Sequence, residues 1–296
     1  MDVETRLLRY FAAVAEEGNL TRAAQRLFIS QPALTKQVRQ LEDRLGVQLF
    51  VRSRAGMTLT PPGRVLAEHI PKLLSDWDTA VKDVECAARR SSQVLRVGFL
   101  ASAANEATPR IIAAFTRTRP GWHIEMRQAA WSNPTAGLLT GEADVAFLRL
   151  PCPDQHRLRV WELFAEPRGV ALPTGHRLAA RKRIEFHELW DEPFVASRAD
   201  PHGWRDYWLA TAERGHRAVR VGAVADHPDE WLNAIANGDG IALAPASAAR
   251  YYARPGVVFI PVAGITESRV AVAWMPAADN DSAVQAFVRS CAVAVT

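Results

Sequence analysis

The stretch NLTRAAQRLFISQPALTKQVRQLEDRLG, Asn19–Gly46, decides how the first sixty residues fold. Thr21 can cap a short helix, TRAAQRLF, whose Ala23, Ala24, Leu27 and Phe28 face inward, the alanines allowing close approach of a neighbouring helix. Ser30 caps the next helix, with Pro32 in its first turn, where a missing N–H costs nothing. Along that helix Leu34, Val38, Leu41 and Leu45 form one stripe. Pro32, Thr35, Lys36 and Arg39 fall on the opposite side at about 100° per residue. The outward face is small, polar and basic, and its acidic member Asp43 comes only in the last turns. Upstream, ETRLLRYFAAVAEEG sets Leu7, Tyr10 or Phe11, and Val14 at helical spacing, and Gly18 supplies a stop. Two short helices, a tight turn and a longer amphipathic helix make a helix-turn-helix. A plain bundle with a solvated basic face is the alternative, but it leaves the agreement of cap, turn, inner stripe and outer chemistry unexplained.

The charge distribution singles out the same region. The 296 residues carry a net charge of +4, with 10 Lys/Arg against 6 Asp/Glu in residues 1–64 and 26 of each in the remainder. A local cationic surface on an otherwise balanced chain points to a polyanion, and nucleic acid precedes membrane because no basic helix with a bulky apolar face accompanies it. The composition, 48% hydrophobic and 23% charged, is that of an ordinary globular protein of at least two domains. The charged start MDVETRLLRYF is unlike a signal peptide, and no run approaches the ~18 apolar residues of a membrane helix, so a cytoplasmic location is expected. Three cysteines without Cys-x-x-Cys or Cys/His spacing make a disulfide framework or a structural metal site improbable.

After the helices, QLFVR and MTLTP read as two extended segments joined by a turn at Ala55-Gly56, a wing with Arg52 and Arg54 near its tip, able to touch phosphate or the minor groove. AAVAEEGNLTRAAQRLFISQPALTKQVRQLEDRLGVQLFVR followed by LTPPG resembles the N-terminal domain of LysR-type transcriptional regulators. That resemblance implies that the third helix enters the major groove, with Gln31, Pro32, Thr35, Lys36 and Arg39 facing the bases. Thr21, Arg22, Arg52 and Arg54 complete the expected DNA-binding set. Thr35 stands where many relatives carry serine, and its methyl group could contact thymine.

Residues 62–90 place Leu66, Ile70, Leu73, Trp77, Ala80 or Val81, and Val84 at alternating steps of four and three, a coiled-coil seam of roughly three heptads. Charges cover the rest of that helix, so it needs a partner, most simply its own copy. A symmetric dimer would set two recognition helices on the half-sites of a palindromic double-stranded DNA. Packing of the helix on the C-terminal domain is the alternative. Pro71 predicts a bend or a late helix start.

From QVLRVGFLAS onward short apolar strands alternate with helices. Leu95–Phe99, a helix through PRIIAAFTRTRP, WHIEMR, a helix through PTAGLLTGEA and DVAFLRL form one set. VWELFAEPRGVALP, EPFVAS, AVRVGAV and GIALAP form a second, with helices near 202–213 and 229–237. The chain returns through ESRVAVAWMP to a closing helix over 281–294. This describes two α/β lobes with two crossovers. LRVGF, GEADVAFLR and GDGIALAPAS resemble the effector-binding domain of the LysR type, which is similar to periplasmic binding proteins. The expected domains are a winged helix-turn-helix over 1–60, a linker and dimerisation helix over 61–90, and an effector domain over 91–296. Its lobe I covers about 91–161 and 266–296, and lobe II about 162–265.

By family position, the effector lies in the cleft between lobes. Ser102, Trp131, Ser132, Asn133 and Arg149 would line it from one side, and His202, Gly203, Trp204, Asp226 and His227 from the other. Such residues suit an anionic or aromatic small molecule. Each also has a structural alternative: Ser102 and Ser132 as helix caps, Arg149 in an interlobe salt bridge, Trp204 as a core aromatic, His227 as a turn residue. Relatives more often carry a small hydroxyl residue at the place of Trp131.

Enzyme signatures are missing: NGDGIALA runs from helix into strand, the reverse of a dinucleotide fingerprint, and no phosphate-binding loop, nucleophile elbow or His-Glu-x-x-His occurs. A redox regulator working through Cys152 and Cys291 lacks any sign of a depressed thiol pKa. An architectural DNA binder would leave the cleft unexplained. The reading is a DNA-binding transcriptional regulator that answers to a small-molecule effector. It needs no cofactor and assembles as a homodimer or homotetramer, with RNA polymerase as a further candidate partner and no membrane involved.

Overall fold

The computed structural model describes residues 3–53, 56–101, 104–198, 201–215 and 217–295, in two compact units, Met1–Ala87 and Ala88–Thr296. The first contains α1 (Thr5–Glu17), α2 (Leu20–Arg26), α3 (Gln31–Leu45), an antiparallel wing of β1 (Phe50–Ser53) and β2 (Gly56–Leu59), and most of α4 (Pro61–Ser91). Leu7, Phe11, Val14, Ala23, Ala24, Leu34, Val38 and Leu41 meet in one core, and the Phe11 and Phe50 rings lie 5.0 Å apart.

Three local expectations are corrected in this unit. Asn19, not Thr21, caps α2: its side-chain oxygen accepts from the Thr21 and Arg22 N–H groups at 2.8 and 3.1 Å. Phe28 does not face inward. The turn that ends α2, with Ile29 N–H donating to Ala24 O, holds Phe28 at φ 54° and leaves it 95% exposed. The late start expected from Pro71 does not occur either, since α4 runs unbroken for 31 residues from Pro61 through Pro71.

The second unit runs, in chain order, β3 (Val94–Phe99), α5 (Ala107–Thr118), β4 (His123–Gln128), β5 (Val145–Leu150), β6 (Arg159–Glu166), β7 (Arg168–Pro173), β8 (Ile184–Glu185), β9 (Phe194–Ser197), α6 (Asp206–Trp208), β10 (Val221–Ala225), α7 (Pro228–Ala236), β11 (Ala242–Pro245), α8 (Ala248–Tyr251), β12 (Val257–Ala263), β13 (Ser268–Trp274) and α9 (Ser282–Val295). One sheet has the order β4-β3-β5-β13-β6, parallel across β4, β3 and β5 and antiparallel beyond. A second has the order β11-β7-β12-β8, and a bridge between Phe194 and Ile241 places the parallel pair β10-β9 beside it. These are two α/β lobes. In the first, Ile111 and Phe115 of α5 and Phe287 of α9 pack with Val97 and Phe147 of the sheet.

The crossover expected near residue 161 lies at Pro167. VWELFAEPRGVALP is two strands: β6 stays paired with β13 through Glu166↔Ser268, and β7 starts in the other sheet at Arg168. Proline cannot donate to a ladder, which suits it to the point where the chain changes sheets. The helix expected through PTAGLLTGEA is a run of turns, with positive φ at Ala136, Gly137 and Gly141. That run lies against β3 at Gly98, where an added Cβ would come within 1.9 Å of the Ala136 carbonyl oxygen. The helix expected near 202–213 is broken into a π turn over Pro201–Arg205, the short α6 and a 3-10 turn over Ala212–Arg214.

Candidate functional site

On α3, Gln31, Pro32, Thr35, Lys36 and Arg39 share one shallow surface recess, joined by Gln40 and Asp43. Leu34, Val38 and Leu41 on the opposite stripe are buried, and this fixes the rotation of the helix. The Ser30 hydroxyl accepts from Ala33 N–H at its start, and Gly46 ends it in the left-handed conformation. Gln31 Nε2 donates to Thr35 Oγ1 at 3.0 Å, and Thr35 Oγ1 donates to the Gln31 carbonyl at 2.9 Å. Lys36 and Arg39 are exposed, and among the described residues no carboxylate pairs with them. Thr21 and Arg22 are exposed at the start of α2, with Arg22 drawn to Glu17. Arg54 lies outside the described residues, as does the side chain of Arg52.

In the second unit a cavity of about 80 Å³ lies between the lobes, walled by Leu100, Trp131, Trp204, Trp208, Trp231 and Tyr252. Arg149, on β5, reaches its wall and is 3% exposed. Its Nη1 donates to Glu166 Oε1 at 3.0 Å and to Ser268 Oγ at 2.9 Å, both within its own sheet. Glu166 also accepts from Asn105 Nδ2 at 3.2 Å, and from the Ser247 N–H and hydroxyl at 2.8 and 3.0 Å, so the carboxylate ties the first lobe to the second. Burial pushes the Arg149 pKa down despite the opposing pull of Glu166. Arg149 Nη2, Ser197 Oγ and Trp208 Nε1 are buried without a hydrogen-bond partner, and all three residues line the cavity.

The effector-lining set expected from sequence is brought together only in part. Trp131, Arg149 and Trp204 line the cavity. Ser132 does not: its N–H and hydroxyl both donate to Asp226 at 2.7 Å, across the lobes, beside an edge-to-face pair of Trp131 and Trp231 with centroids 6.0 Å apart. Asn133 Oδ1 is occupied by Thr135 Oγ1 and the Gly137 N–H. His227 is the residue before α7, and Gly203 borders a separate outer recess. Ser102 lies outside the described residues, as does the side chain of His202. Ser197, Trp208 and Glu166 were not foreseen, because a lone serine, tryptophan or glutamate inside a strand or helix carries no pattern of its own.

Burial pushes the Cys152 thiol up to about 11, with Asp154 adding to it, and pushes Cys291 further still. The side chain of Cys86 lies outside the described residues. Among the described residues no group of His, Cys, Asp and Glu could hold a metal, and no helix is long and apolar enough to cross a membrane.

A winged helix-turn-helix followed by a two-lobed α/β domain around a mainly apolar cavity, with Arg149 and Ser197 among its lining residues, is the architecture of a DNA-binding regulator with a ligand-binding domain. Residues 5–64 match the family described as bacterial regulatory helix-turn-helix protein, lysR family, and residues 88–294 match the LysR substrate binding domain. The chain is 31% identical over 253 residues to the HTH-type transcriptional regulator AlsR of Bacillus subtilis, covering 84% of this chain and 83% of that protein. It is 32% identical to the uncharacterized HTH-type transcriptional regulator YnfL of Escherichia coli, covering 95% and 90%. The crystal structure of full-length BenM is similar with a TM-score of 0.54 and 26% identity, over 98% of this chain and 95% of that one. The chain belongs to the LysR-type transcriptional regulators. It is a DNA-binding regulator with an effector-binding domain, not an enzyme.

Proposed function

We propose that this regulator reads a palindromic operator through the recess of α3 and is switched by a small anionic effector held between its lobes. Gln31 and Thr35 supply the base contacts, Lys36 and Arg39 the phosphate or guanine contacts, and Thr21 and Arg22 anchor the backbone. Two copies pair through the apolar face that α4 leaves exposed at Leu73, Trp77, Val81 and Val84.

The observation that carries the effector reading is the second guanidinium nitrogen of Arg149, buried beside a cavity with no partner. An unpaired buried donor costs roughly 1–3 kcal/mol, and a ligand carrying an acceptor recovers it. A thermal-shift screen of small anions against the full chain tests this. A true effector raises the melting temperature with the logarithm of its concentration and loses potency in Arg149→Lys, which keeps the charge facing Glu166 and removes the fork. Hits equally potent on Arg149→Lys and Ser197→Ala would place the effector elsewhere.

A further inference from the structure

The cavity at Arg149 is selective in size as well as in chemistry. Its volume of about 80 Å³ is roughly half that of the ~150 Å³ apolar cavity known to accept benzene. The space as it stands favours a ligand smaller than an aromatic ring. Three residues that line it each carry a buried side-chain atom without a partner, Arg149 Nη2, Ser197 Oγ and Trp208 Nε1, and all three atoms can donate. A complementary ligand presents acceptors to these donors and otherwise little hydrogen-bonding capacity, since most of the lining is aromatic or aliphatic.

We propose that the effector is an aliphatic carboxylate of about two to four carbons, its oxygens held by Arg149 Nη2, Ser197 Oγ and Trp208 Nε1 and its chain by Trp131, Trp204 and Trp231. This rests on the reading of the cavity as the effector site. A carboxylate fits better than a neutral carbonyl because the charges around Arg149 are incompletely matched. Glu166 shares its charge among four donors, three of them neutral, and burial of the guanidinium outweighs the help it receives from Glu166. An anion on Nη2 supplies the missing counter-charge, and charge-assisted hydrogen bonds are about twice as strong as neutral ones. Two or three waters, at ~30 Å³ each, are the competing content of the same space.

Calorimetric titration of the full chain with acetate, propionate, butyrate and benzoate, and with acetamide and propionamide as neutral isosteres, tests the inference. The short carboxylates should bind, the amides about tenfold or more weakly, and benzoate not at all. Ser197→Ala should weaken the carboxylates about five- to tenfold while leaving the unliganded melting temperature equal or higher, since it removes an unpaired buried hydroxyl. Ala244→Val, which fills the cavity, should abolish binding. Amides binding as well as carboxylates, or benzoate binding tightly and weakened by Ser197→Ala, would overturn the proposed class and leave the effector site standing. If no compound bound, and neither Ser197→Ala nor Ala244→Val altered operator binding, the cavity would be a water site and both readings would fall.

Discussion

Gln31 and Thr35 hold each other in place before any DNA is present, through two hydrogen bonds along one turn of α3. If they meet base edges as proposed, each can trade a bond for a base without first being ordered, at a lower entropic cost. Gln31→Ala or Thr35→Ala should therefore cost about 1–3 kcal/mol on the operator and little on random DNA, in fluorescence anisotropy at fixed salt. Equal losses on both DNAs would mean that the row touches only backbone. The thiols admit an equally direct check. With Cys152 pushed up to about 11, roughly a thousandth of it is thiolate at pH 8, and Cys291 is less ionised still. A Cys86→Ser variant should stay inert to a thiol reagent until denatured, and fast labelling of the native protein would contradict the burial. At this scale the sequence was legible where spacing decides, as along α3, where Leu34, Val38 and Leu41 turn inward and fix what faces out. It was illegible where a partner lies far along the chain. Ser132 follows a strand as a cavity residue should, yet Asp226, 94 positions away, takes both its donors. Phe28 looked like part of an inner stripe until the turn geometry reversed it.

Helix α4 is a stripe shared between two tasks. The four-three spacing from Leu66 to Val84 is real, but its first part is consumed inside the N-terminal unit, where Ile70 is 1% exposed and Leu66 packs against the same cluster. Only Leu73, Trp77, Val81 and Val84 remain exposed, at 51, 50, 39 and 70%. Spacing shows that an apolar face exists, not what covers it. Two substitutions separate the tasks. Ile70→Ala should destabilise the N-terminal unit by about 2–5 kcal/mol, read as a lower denaturation midpoint. Trp77→Glu should leave that midpoint unchanged and shift the sedimentation coefficient toward the monomer, while Lys82→Glu changes neither. An unaltered oligomer in Trp77→Glu would mean that another surface pairs the copies. The turn run after β4 teaches a related lesson: PTAGLLTGEA has helical content, but close approach to Gly98 and three positive φ angles override propensity.

At the scale of the whole chain, the proposed recognition helix and ligand cavity are useful together only if the ligand favours one assembly over another. The effector domain has contacts suited to that choice. Arg168, at the start of β7 and 1% exposed, donates to the Thr266 carbonyl and hydroxyl, to the Tyr207 carbonyl and to Glu213, clamping the two crossovers side by side. Burial alone would raise the Glu213 pKa, but the Thr266 hydroxyl and Arg168 hold it below the usual carboxylate range. Between the lobes run Ser132–Asp226, Ser247–Glu166 and Arg250–Glu106. A ligand on Arg149 sits one side chain away from the middle link, so occupancy and lobe geometry share an atom set. The most direct test is a DNase footprint of the full chain on the promoter it occupies, with and without the carboxylate that most stabilises it, for wild type and Ser197→Ala. The expected result is a footprint that changes with ligand in the wild type and needs several-fold more ligand to change in the variant. A footprint indifferent to ligand, or one that responds identically in both proteins, would contradict the account.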